Sequence, residues 1–382
     1  MLALAVLAQG VGSVYAFGLA YLVPTFRTEL GASLSTAGLL VGAPSAGLML
    51  ALVAWGALAD RVGDRPVITA GLAGMGILLG CASLVHDPLP LGLLLLAAGA
   101  AGAAVHAASG RVVLGWFSAR RRGLAMGIRQ TGQPVGVAAA SLLLPAVAGA
   151  AGLGAALLVP AVLSMVAAVL TGVLLRDPPR APVTGTARAA SPYRYGAIWR
   201  VHGVSALMVI PQFAVSGYSF VFLVEARHWA PASAGVVLAV TQFAGAASRL
   251  LAGSWSDRVA SRLGPLRIVA AVNAVTMALL ATATVSGSGV VVPMLLAAAV
   301  ITVSGNGLAF TSVAELAGSA WAGRALGIQN TGQNLTAAAT SASIGALIGA
   351  AGYGWAFAAV VVFPLLAVFL VPVASDPVRH AR

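Results

Sequence analysis

The stretch "GALADRVGDRP", residues 56–66, joins two long apolar runs, and "GSWSDRVASRLG", residues 253–264, does the same 197 positions later. Each stretch places a glycine four residues before an aspartate–arginine pair. Charge is scarce elsewhere, because only 8% of the 382 residues are charged, 60% are hydrophobic and the mean hydropathy is +0.98. This composition excludes a water-soluble domain of such length and predicts an integral membrane protein.

Twelve apolar runs follow one another along the chain, each close to the roughly 20 residues that cross a bilayer core as a helix. None alternates polar and apolar residues as a barrel strand does, so all are predicted to be helices. The first run has no basic residue before it, so we interpret it as a span and not as a secretory signal. The predicted spans are 2–23, 35–58, 66–85, 89–117, 124–147, 154–175, 197–224, 233–255, 265–286, 290–316, 323–347 and 354–373.

The net charge of +12 comes from arginine, and sixteen of the 21 arginines lie in or beside alternate connections between the spans. This asymmetry is typical of cytoplasmic loops, so it predicts that both termini are cytoplasmic and that the charge faces cytosol and lipid headgroups, with no nucleic-acid partner. The absence of lysine beside abundant alanine and glycine suggests a bacterial plasma membrane as the location.

The chain divides into two similar halves. "GIRQTGQ" at 127–133 returns as "GIQNTGQ" at 327–333, and the longest polar stretch, 176–196, separates the sixth span from the seventh. We therefore predict an all-α membrane protein of two pseudo-symmetric six-helix bundles, 1–175 and 197–375. The stretch 176–196 is predicted to be a cytoplasmic linker and 376–382 a cytoplasmic tail. Repeats of this kind are typical of transporters that hold their site near the bilayer midplane.

The residues 56–66 resemble the loop signature of the major facilitator superfamily, Gly-x-x-x-Asp-Arg-x-Gly-x-Arg, and 253–264 resembles a degraded copy of it. The resemblance extends over the whole chain through span count, linker position and repeat spacing. It implies a twelve-helix transporter that works by alternating access, with a monomer as the family's usual state. The signature says almost nothing about the substrate.

The repeated signature predicts a conformational switch. A glycine at 56 lets another helix approach closely, and Asp60 can accept hydrogen bonds from the free amides of a helix start. The resemblance implies that this start is the one before "GIQNTGQ", and that Asp257 makes the mirror contact before "GIRQTGQ". The alternative is that these charges only follow the positive-inside rule. The predicted switch residues are Gly56, Asp60, Arg61, Arg65, Gly253, Asp257 and Arg258.

Arg249 lies eight residues before Asp257, about 12 Å into the eighth span at roughly 1.5 Å per residue. Thr241 and Gln242 precede it on a polar stripe, and no acidic residue lies in that span. A guanidinium in a cavity favours an anionic ligand, which it holds through two parallel hydrogen bonds. The string "SRLLAG" at 248–253 also resembles the eighth helix of monocarboxylate and oxalate transporters. A structural arginine bonded to helix carbonyls is the competing interpretation.

Further polar residues in the spans either line a wet path or hold helices together. Those predicted to contact substrate, besides Arg249, Gln242 and Thr241, are Asn306, Tyr15, Tyr21, Tyr218, Gln212 and Gln333. A second set is assigned to a proton or charge relay: His106, Arg111, Arg129 and Glu225. For Arg111 and Arg129, pairing with Asp60 or Asp257, or snorkelling, is the competing interpretation, and for His106 an ordinary hydrogen bond in the protein.

The sequence therefore predicts a transporter of a small solute, an organic or inorganic anion before a drug, acting by exchange, facilitated diffusion or symport with a proton. A proton-coupled drug or antibiotic exporter is the alternative. Nothing supports a membrane-embedded enzyme or a sensor, because the chain contains no nucleophile beside a base, no cluster with metal-ligand spacing and no added signalling domain. No cofactor, metal ion or catalytic residue is predicted.

Overall fold

The computed structural model describes residues 1–178 and 191–378, and every regular element within them is helical. Short 3₁₀ turns join several helices, and a π-helical turn, Phe222–Ala226, extends one of them. The α-helices in chain order are α1 Leu2–Gly18, α2 Val23–Glu29, α3 Leu34–Val62, α4 Asp64–Ala82, α5 Pro88–Trp116, α6 Arg122–Gln130, α7 Gly132–Leu174, α8 Gly196–Val221, α9 Pro231–Arg258, α10 Leu263–Val285, α11 Val291–Ser304, α12 Asn306–Ala317, α13 Ala322–Val360 and α14 Val362–Leu370.

Ten helical stretches in the described part of the chain are long and apolar enough to cross a membrane. Eight of them are 19 to 31 residues long, and the other two, Ala119–Leu174 and Ala322–Leu370, contain 56 and 49 residues. Each long stretch contains two helices that meet at a kink, at Gly152 with φ 83° and at Gly352 with φ 80°. The predicted twelve spans correspond to these ten stretches with the two longest divided at the glycines, and the count of twelve stays a prediction.

The turn between α3 and α4 is set by its own residues. Gly63, at φ 111°, ends α3 and precedes the first residue of α4, a backbone conformation that a side chain would oppose. The Asp177 carboxylate then accepts hydrogen bonds from the first two amides of α4, Asp64 N at 2.8 Å and Arg65 N at 2.9 Å. Free amides and the positive end of the helix dipole both favour a carboxylate at this position.

The same arrangement recurs at the start of α10. Asp376 is buried, and one of its oxygens accepts from the backbone of Arg262 and Leu263, both at 2.9 Å, and from the Ser261 hydroxyl at 2.6 Å. Asp376 was assigned to the cytoplasmic tail, and Asp177 to the linker. Both carboxylates cap helices. Each belongs to an aspartate–proline pair that follows the last helix of its half, and the two aspartates are 199 residues apart. The remainder of the linker, 179–190, and of the tail, 379–382, lies outside the described residues.

The chain forms two compact units, and the division into the bundles 1–175 and 197–375 stays a prediction. The first unit comprises 1–117, 128–190 and 317–331, and the second comprises 118–127, 191–316 and 332–382. The first unit thus includes the start of α13, and the second includes the start of α6. Each unit holds its extra segment through a glycine contact and an aspartate, which are described below.

In the first unit, small residues bring α3 and α5 together. A Cβ on Gly99 would collide with the backbone of Pro44, and one on Gly47 would collide with the Leu96 carbonyl. Helices in a membrane gain no hydrophobic free energy when they associate, because both are already out of water. Close backbone packing supplies van der Waals attraction instead. The core around this contact contains Tyr15 and the side chains of a continuous apolar cluster from α1, α3, α4, α5 and α7.

The second unit has an aromatic core. Phe222, Tyr353 and Phe357 pack with ring centroids 4.9 to 6.2 Å apart, largely edge to face, at the junction of α8 and α13. Leu280 of α10 and Leu295 of α11 belong to the same core. Aromatic pairs in this geometry are favoured beyond the area they bury.

Candidate functional site

The Asp60 carboxylate, near the end of α3, is 1% exposed and accepts four hydrogen bonds within the first unit. Two come from the first amides of α13, Gly323 N at 2.8 Å and Arg324 N at 3.1 Å. The others come from the side chain of Arg324, with Nε at 2.8 Å, and from that of Arg111. Gly56, one turn earlier, permits this contact, because a Cβ there would collide with the Gly323 carbonyl. The hydrogen bonds expected of Asp60 are therefore present.

Arg111 joins a second carboxylate to the cluster. Its Nε lies 2.9 Å from an oxygen of Asp64, while its Nη1 contacts Asp60. This agrees with the pairing interpretation of Arg111. Of the two signature arginines, Arg61 is exposed and Arg65 donates its Nε to the Gly172 carbonyl, at 2.9 Å near the end of α7. Arg65 thus stabilises a helix end, where cations are favoured.

The Asp257 carboxylate makes the corresponding contacts in the second unit. It accepts from the first amides of α6, Gly123 N at 2.9 Å and Leu124 N at 2.8 Å. A Cβ on Gly253 would collide with the Gly123 carbonyl, so the glycine has the same function as in the first unit. Arg258, next to Asp257, is exposed at the end of α9. These contacts match the geometry expected of the repeated signature, and their role as a switch stays a prediction.

Two residues of this second cluster were missed from the sequence. Arg262, whose side chain is 1% exposed, contacts Asp257 at 2.6 Å and Glu315 at 3.3 Å, and also donates to the Ala119 carbonyl. Glu315, on α12, also pairs with Arg122 at 3.4 Å. The signal that could have found Glu315 is its position at the end of an apolar run in a chain with only nine acidic residues.

The polarity of the two clusters is reversed. In the first unit an arginine on α5, Arg111, contacts an acidic residue at the start of α4, Asp64. In the second unit a glutamate on α12, Glu315, contacts an arginine at the start of α10, Arg262. Each unit therefore has an arginine–carboxylate pair beside its signature aspartate. The positive and negative members of the pair have exchanged places between the two units.

Arg129 lies deep in the first unit and does not snorkel, since it is only 1% exposed. Its guanidinium donates to the Ser109 hydroxyl at 2.9 Å, to Gln9 Oε1 at 3.1 Å and to Gln130 Oε1 at 3.2 Å. These acceptors come from α5, α1 and α6, so the arginine gathers polar groups of three helices around a buried positive charge.

Arg249 is 8% exposed on α9 and donates its Nε to the Val303 carbonyl at 3.3 Å. Val303 lies in the last turn of α11, where the helix dipole favours a cation. A bond to a helix carbonyl is what the interpretation of Arg249 as a structural arginine requires. The guanidinium also has further N–H donors that can bind other partners. Thr241 is buried and donates its hydroxyl to the Val237 carbonyl of its own helix, whereas Gln242 is exposed. The two residues of the predicted polar stripe therefore do not share the buried environment of Arg249.

The other predicted substrate residues form separate polar contacts. Asn306 Nδ2 donates to Gln212 Oε1 at 3.0 Å, and Gln333 Nε2 donates to the Ser205 hydroxyl at 2.6 Å, both in the second unit. Three are tyrosines: Tyr218 donates to the Ser341 carbonyl, Tyr15 is buried and donates to the Leu95 carbonyl, and Tyr21 is partly exposed.

The relay residues do not form one chain of contacts. His106 borders a small cavity in the first unit, near Arg129, whereas Glu225 is exposed in the π-helical turn after α8. The described residues contain no group of His, Cys, Asp and Glu side chains arranged to hold a metal ion.

Comparisons with known proteins give one result. The sequence matches the Major Facilitator Superfamily over residues 2–341. It is 44% identical over 363 residues to the uncharacterized MFS-type transporter Rv2994 of Mycobacterium tuberculosis. The matching region covers 94% of this chain and 81% of that protein. The same identity and coverage apply to the uncharacterized MFS-type transporter MT3072 from another strain of that species.

Solved structures with similar folds have low sequence identity. The human organic anion transporter MFSD10 (TETRAN) superposes with a TM-score of 0.73 at 17% identity, over 96% of this chain and 98% of that one. The proton:xylose symporter XylE, bound to 6-bromo-6-deoxy-D-glucose, has a TM-score of 0.75 at 16% identity, with coverage of 96% and 94%. FucP in the outward conformation gives 0.74 at 15%, with coverage of 96% and 98%. At such identities the likeness concerns the fold.

Proposed function

The chain belongs to the major facilitator superfamily and is a multi-pass membrane transporter, and from that premise we propose that its solute is a small organic or inorganic anion, such as a carboxylate. The proposal includes alternating access as the mechanism, with a monomer as the working unit. It also includes a bacterial plasma membrane as the location, in line with the mycobacterial source of the 44% identical relatives.

The observation that supports an anionic solute is the burial of two guanidinium groups, those of Arg129 and Arg249, inside membrane spans. Positive charge at that depth is costly, and intramembrane charges commonly mark a substrate path. The acceptors described above for Arg129 and Arg249 are amide, hydroxyl and carbonyl oxygens, which accept hydrogen bonds but carry no net charge. A guanidinium can also hold an anion through two charge-assisted hydrogen bonds, which is the contact that we propose for the solute.

The placement of the chain's carboxylates favours the same conclusion. Asp60 and Asp257 bind helix starts and arginines, and Glu315 binds two further arginines. Asp177 and Asp376 cap α4 and α10. These carboxylates therefore hold together the ends of helices, while the two buried guanidinium groups lie further along the spans.

The two aspartate clusters supply the proposed switch. Asp60 joins the end of α3 to the start of α13, residues 263 positions apart in the chain, and Asp257 joins the end of α9 to the start of α6. Alternating access would require that these hydrogen bonds break and re-form in each transport cycle, with water replacing the partners of each carboxylate.

Exchange across proteoliposomes tests the anionic solute. Vesicles are loaded with unlabelled oxalate, lactate or nitrate, and uptake of the same labelled anion is measured with the wild type and with Arg249→Ala. Losing a charge-assisted pair costs about 1.5–3 kcal/mol, so uptake at low anion concentration should fall about 10- to 100-fold. Arg249→Lys keeps the charge but loses the two-pronged geometry and should give an intermediate rate.

The matched control is Arg267→Ala, which removes an exposed arginine near the start of α10 and should leave uptake at the wild-type rate. Cationic drugs form the second arm of the assay. If the drugs move, the anions do not, and Arg249→Ala has no effect, the proposal is wrong and drug export becomes the function.

A further inference from the structure

Two amide side chains of the second unit meet near the middle of the membrane. Asn306, the first residue of α12, donates its Nδ2 to Oε1 of Gln212 on α8 at 3.0 Å. Gln212 is the 17th of the 31 residues in the apolar stretch Gly196–Ala226, and Asn306 is the 16th of the 27 residues in Val291–Ala317. Transporters built from repeats hold their solute near the bilayer midplane, so this pair lies at the depth of a solute site.

The bond between the two amides leaves part of each amide unused. An amide has one carbonyl oxygen and an NH₂ group with two donors, and one bond uses one donor and one acceptor. Within the residues that the structure describes, Gln212 Nε2 and Asn306 Oδ1 make no further hydrogen bond. These two atoms flank the same bond, so a single small group can meet both. An unused donor and an unused acceptor inside a span call for a polar partner.

The accessible surface of this pair does not face lipid. Gln212 and Asn306 are half-buried, and no residue from 201 to 215 on α8 or from 306 to 317 on α12 is exposed. A helix that faces lipid exposes apolar side chains at helical spacing. In the second unit α10 does so, with exposed side chains at Ile268, Val272, Val275 and Leu279. The partial access of the amide pair is therefore access for a polar partner.

The guanidinium of Arg249 lies on the same helical turn as the pair. Its Nε donates to the carbonyl of Val303, three residues before Asn306, at 3.3 Å. A helix carbonyl points toward the residues three and four positions further on, and residues three apart share a face. The backbone stays helical through Gly305, at φ −78° and ψ −12°, so this spacing holds across the junction of α11 and α12. Arg249 is therefore a neighbour of the amide pair.

The equivalent positions of the first half are more enclosed. Tyr15 lies 197 positions before Gln212, and His106 lies 200 positions before Asn306, the two offsets that relate the halves. Both line a cavity with about 10 Å³ open to the centre of a water molecule, which is room for about one water. The Tyr15 hydroxyl donates to the Leu95 carbonyl. The more open, half-buried amides of the second half are thus the ones placed to meet a solute.

We propose that Gln212 and Asn306 bind a hydroxyl group of the solute, and that the solute is a short hydroxycarboxylate whose carboxylate faces Arg249. This inference rests on the proposed function. A hydroxyl both accepts and donates, so its oxygen accepts from Gln212 Nε2 while its proton goes to Asn306 Oδ1. The same anion without the hydroxyl leaves both amide atoms without these bonds. The pair therefore selects anions that carry a hydroxyl close to the carboxylate.

Anion pairs that differ by one hydroxyl test this selection. Proteoliposomes loaded with lactate take up labelled lactate, and external lactate, propionate, glycolate and acetate compete with it. The wild type should bind lactate and glycolate about 5- to 150-fold more tightly than propionate and acetate, the ratio that two neutral hydrogen bonds supply. Gln212→Met keeps the length of the side chain but removes its donors. The ratio should then fall about 2- to 12-fold through weaker lactate binding, with propionate binding unchanged.

Further variants separate selection from folding. Asn306→Ala is the second variant should Gln212→Met fail to elute as a single species, and it should lower the ratio in the same way. Thr282→Val removes an exposed hydroxyl from α10 and is the matched control, with the wild-type ratio expected. Arg249→Ala should weaken the binding of hydroxylated and plain anions by the same factor, which keeps the ratio.

Three outcomes overturn the inference. The first is a ratio of about one in the wild type, and the second is a wild-type ratio that survives in both Gln212→Met and Asn306→Ala. In the third, the wild type exchanges oxalate or nitrate but neither lactate nor glycolate, so the proposed function stands and this inference is wrong. If the wild type exchanges none of these anions, the proposed function fails first and this inference with it.

Discussion

Replacing Asp60 with asparagine should weaken the contact between α3 and the start of α13. Each carboxylate oxygen accepts two hydrogen bonds: Oδ1 from Gly323 N and Arg111, and Oδ2 from the backbone and side chain of Arg324. An amide of the same shape keeps one acceptor and turns an N–H₂ donor toward the other two N–H groups. At least two charge-assisted bonds are lost.

The size of the effect follows from those two bonds. Each hydrogen bond to a charged group is worth at least about 1.5 kcal/mol, so the contact state loses about 3 kcal/mol relative to the open one. Since about 1.4 kcal/mol is a factor of ten, the ratio of open to closed molecules should rise about 100-fold. An open state at about 1% in the wild type would become about half of the population.

Spin-label distances can follow this change. Cys81 is the single cysteine of the chain, so Cys81→Ala gives a clean background. Cysteines at Val62, at the exposed end of α3, and at Ser319, just before α13, would carry the labels. Asp60→Asn should add a population at longer distance, and Asp87→Asn, in an exposed connection, should not. An unchanged distance distribution in a folded Asp60→Asn variant would refute the assignment of Asp60 as the residue that closes this contact.

Two glycine substitutions extend the test to backbone geometry. Gly56→Ala introduces a Cβ that collides with the Gly323 carbonyl, so it should open the same contact in the spin-label assay, whereas Gly38→Ala on the same helix has open space and should not. Gly152→Ala forces a side chain into φ 83° and ψ 178°, a conformation that glycine alone adopts readily, and should destabilise the protein by about 1–3 kcal/mol, read as a lower temperature of unfolding in detergent. Gly149→Ala, three residues earlier with open space around it, is its control, and equal unfolding temperatures for the two variants would contradict the strain argument.

The sequence was most informative where a feature was repeated. The aspartate of each signature could be found because it recurs at a nearly constant offset, whereas the helix start that it binds was implied by the resemblance to the superfamily. Arg262 and Glu315 could not be assigned to the second cluster, since the position equivalent to an arginine in one half holds no arginine in the other. Comparing the two halves of the chain finds residues of equivalent function only where both halves carry a charge of the same sign.

Depth along a helix was also a poor guide to the partners of a charge. For Arg129 the sequence offered pairing with an aspartate or snorkelling as the alternatives to a relay. The structure instead surrounds it with Gln9 from α1 and Ser109 from α5, residues 120 and 20 positions away. Periodicity places a residue on its own helix, but which neighbouring helix faces it depends on packing, which the apolar pattern of these spans leaves open.

The chemistry of the two aspartate clusters suits a contact that must open and close. The transfer of ions from water to a buried position costs free energy that their mutual attraction only roughly offsets, so the closed state of such a cluster is not strongly favoured. When the contact opens, the carboxylate of Asp60 and the amides of Gly323 and Arg324 would regain water, which returns most of that cost. An apolar contact of the same area would have no such compensation on opening. Buried charge at helix starts therefore gives a contact that is specific in geometry because it needs aligned donors, yet weak enough in net free energy for a bound solute to shift it.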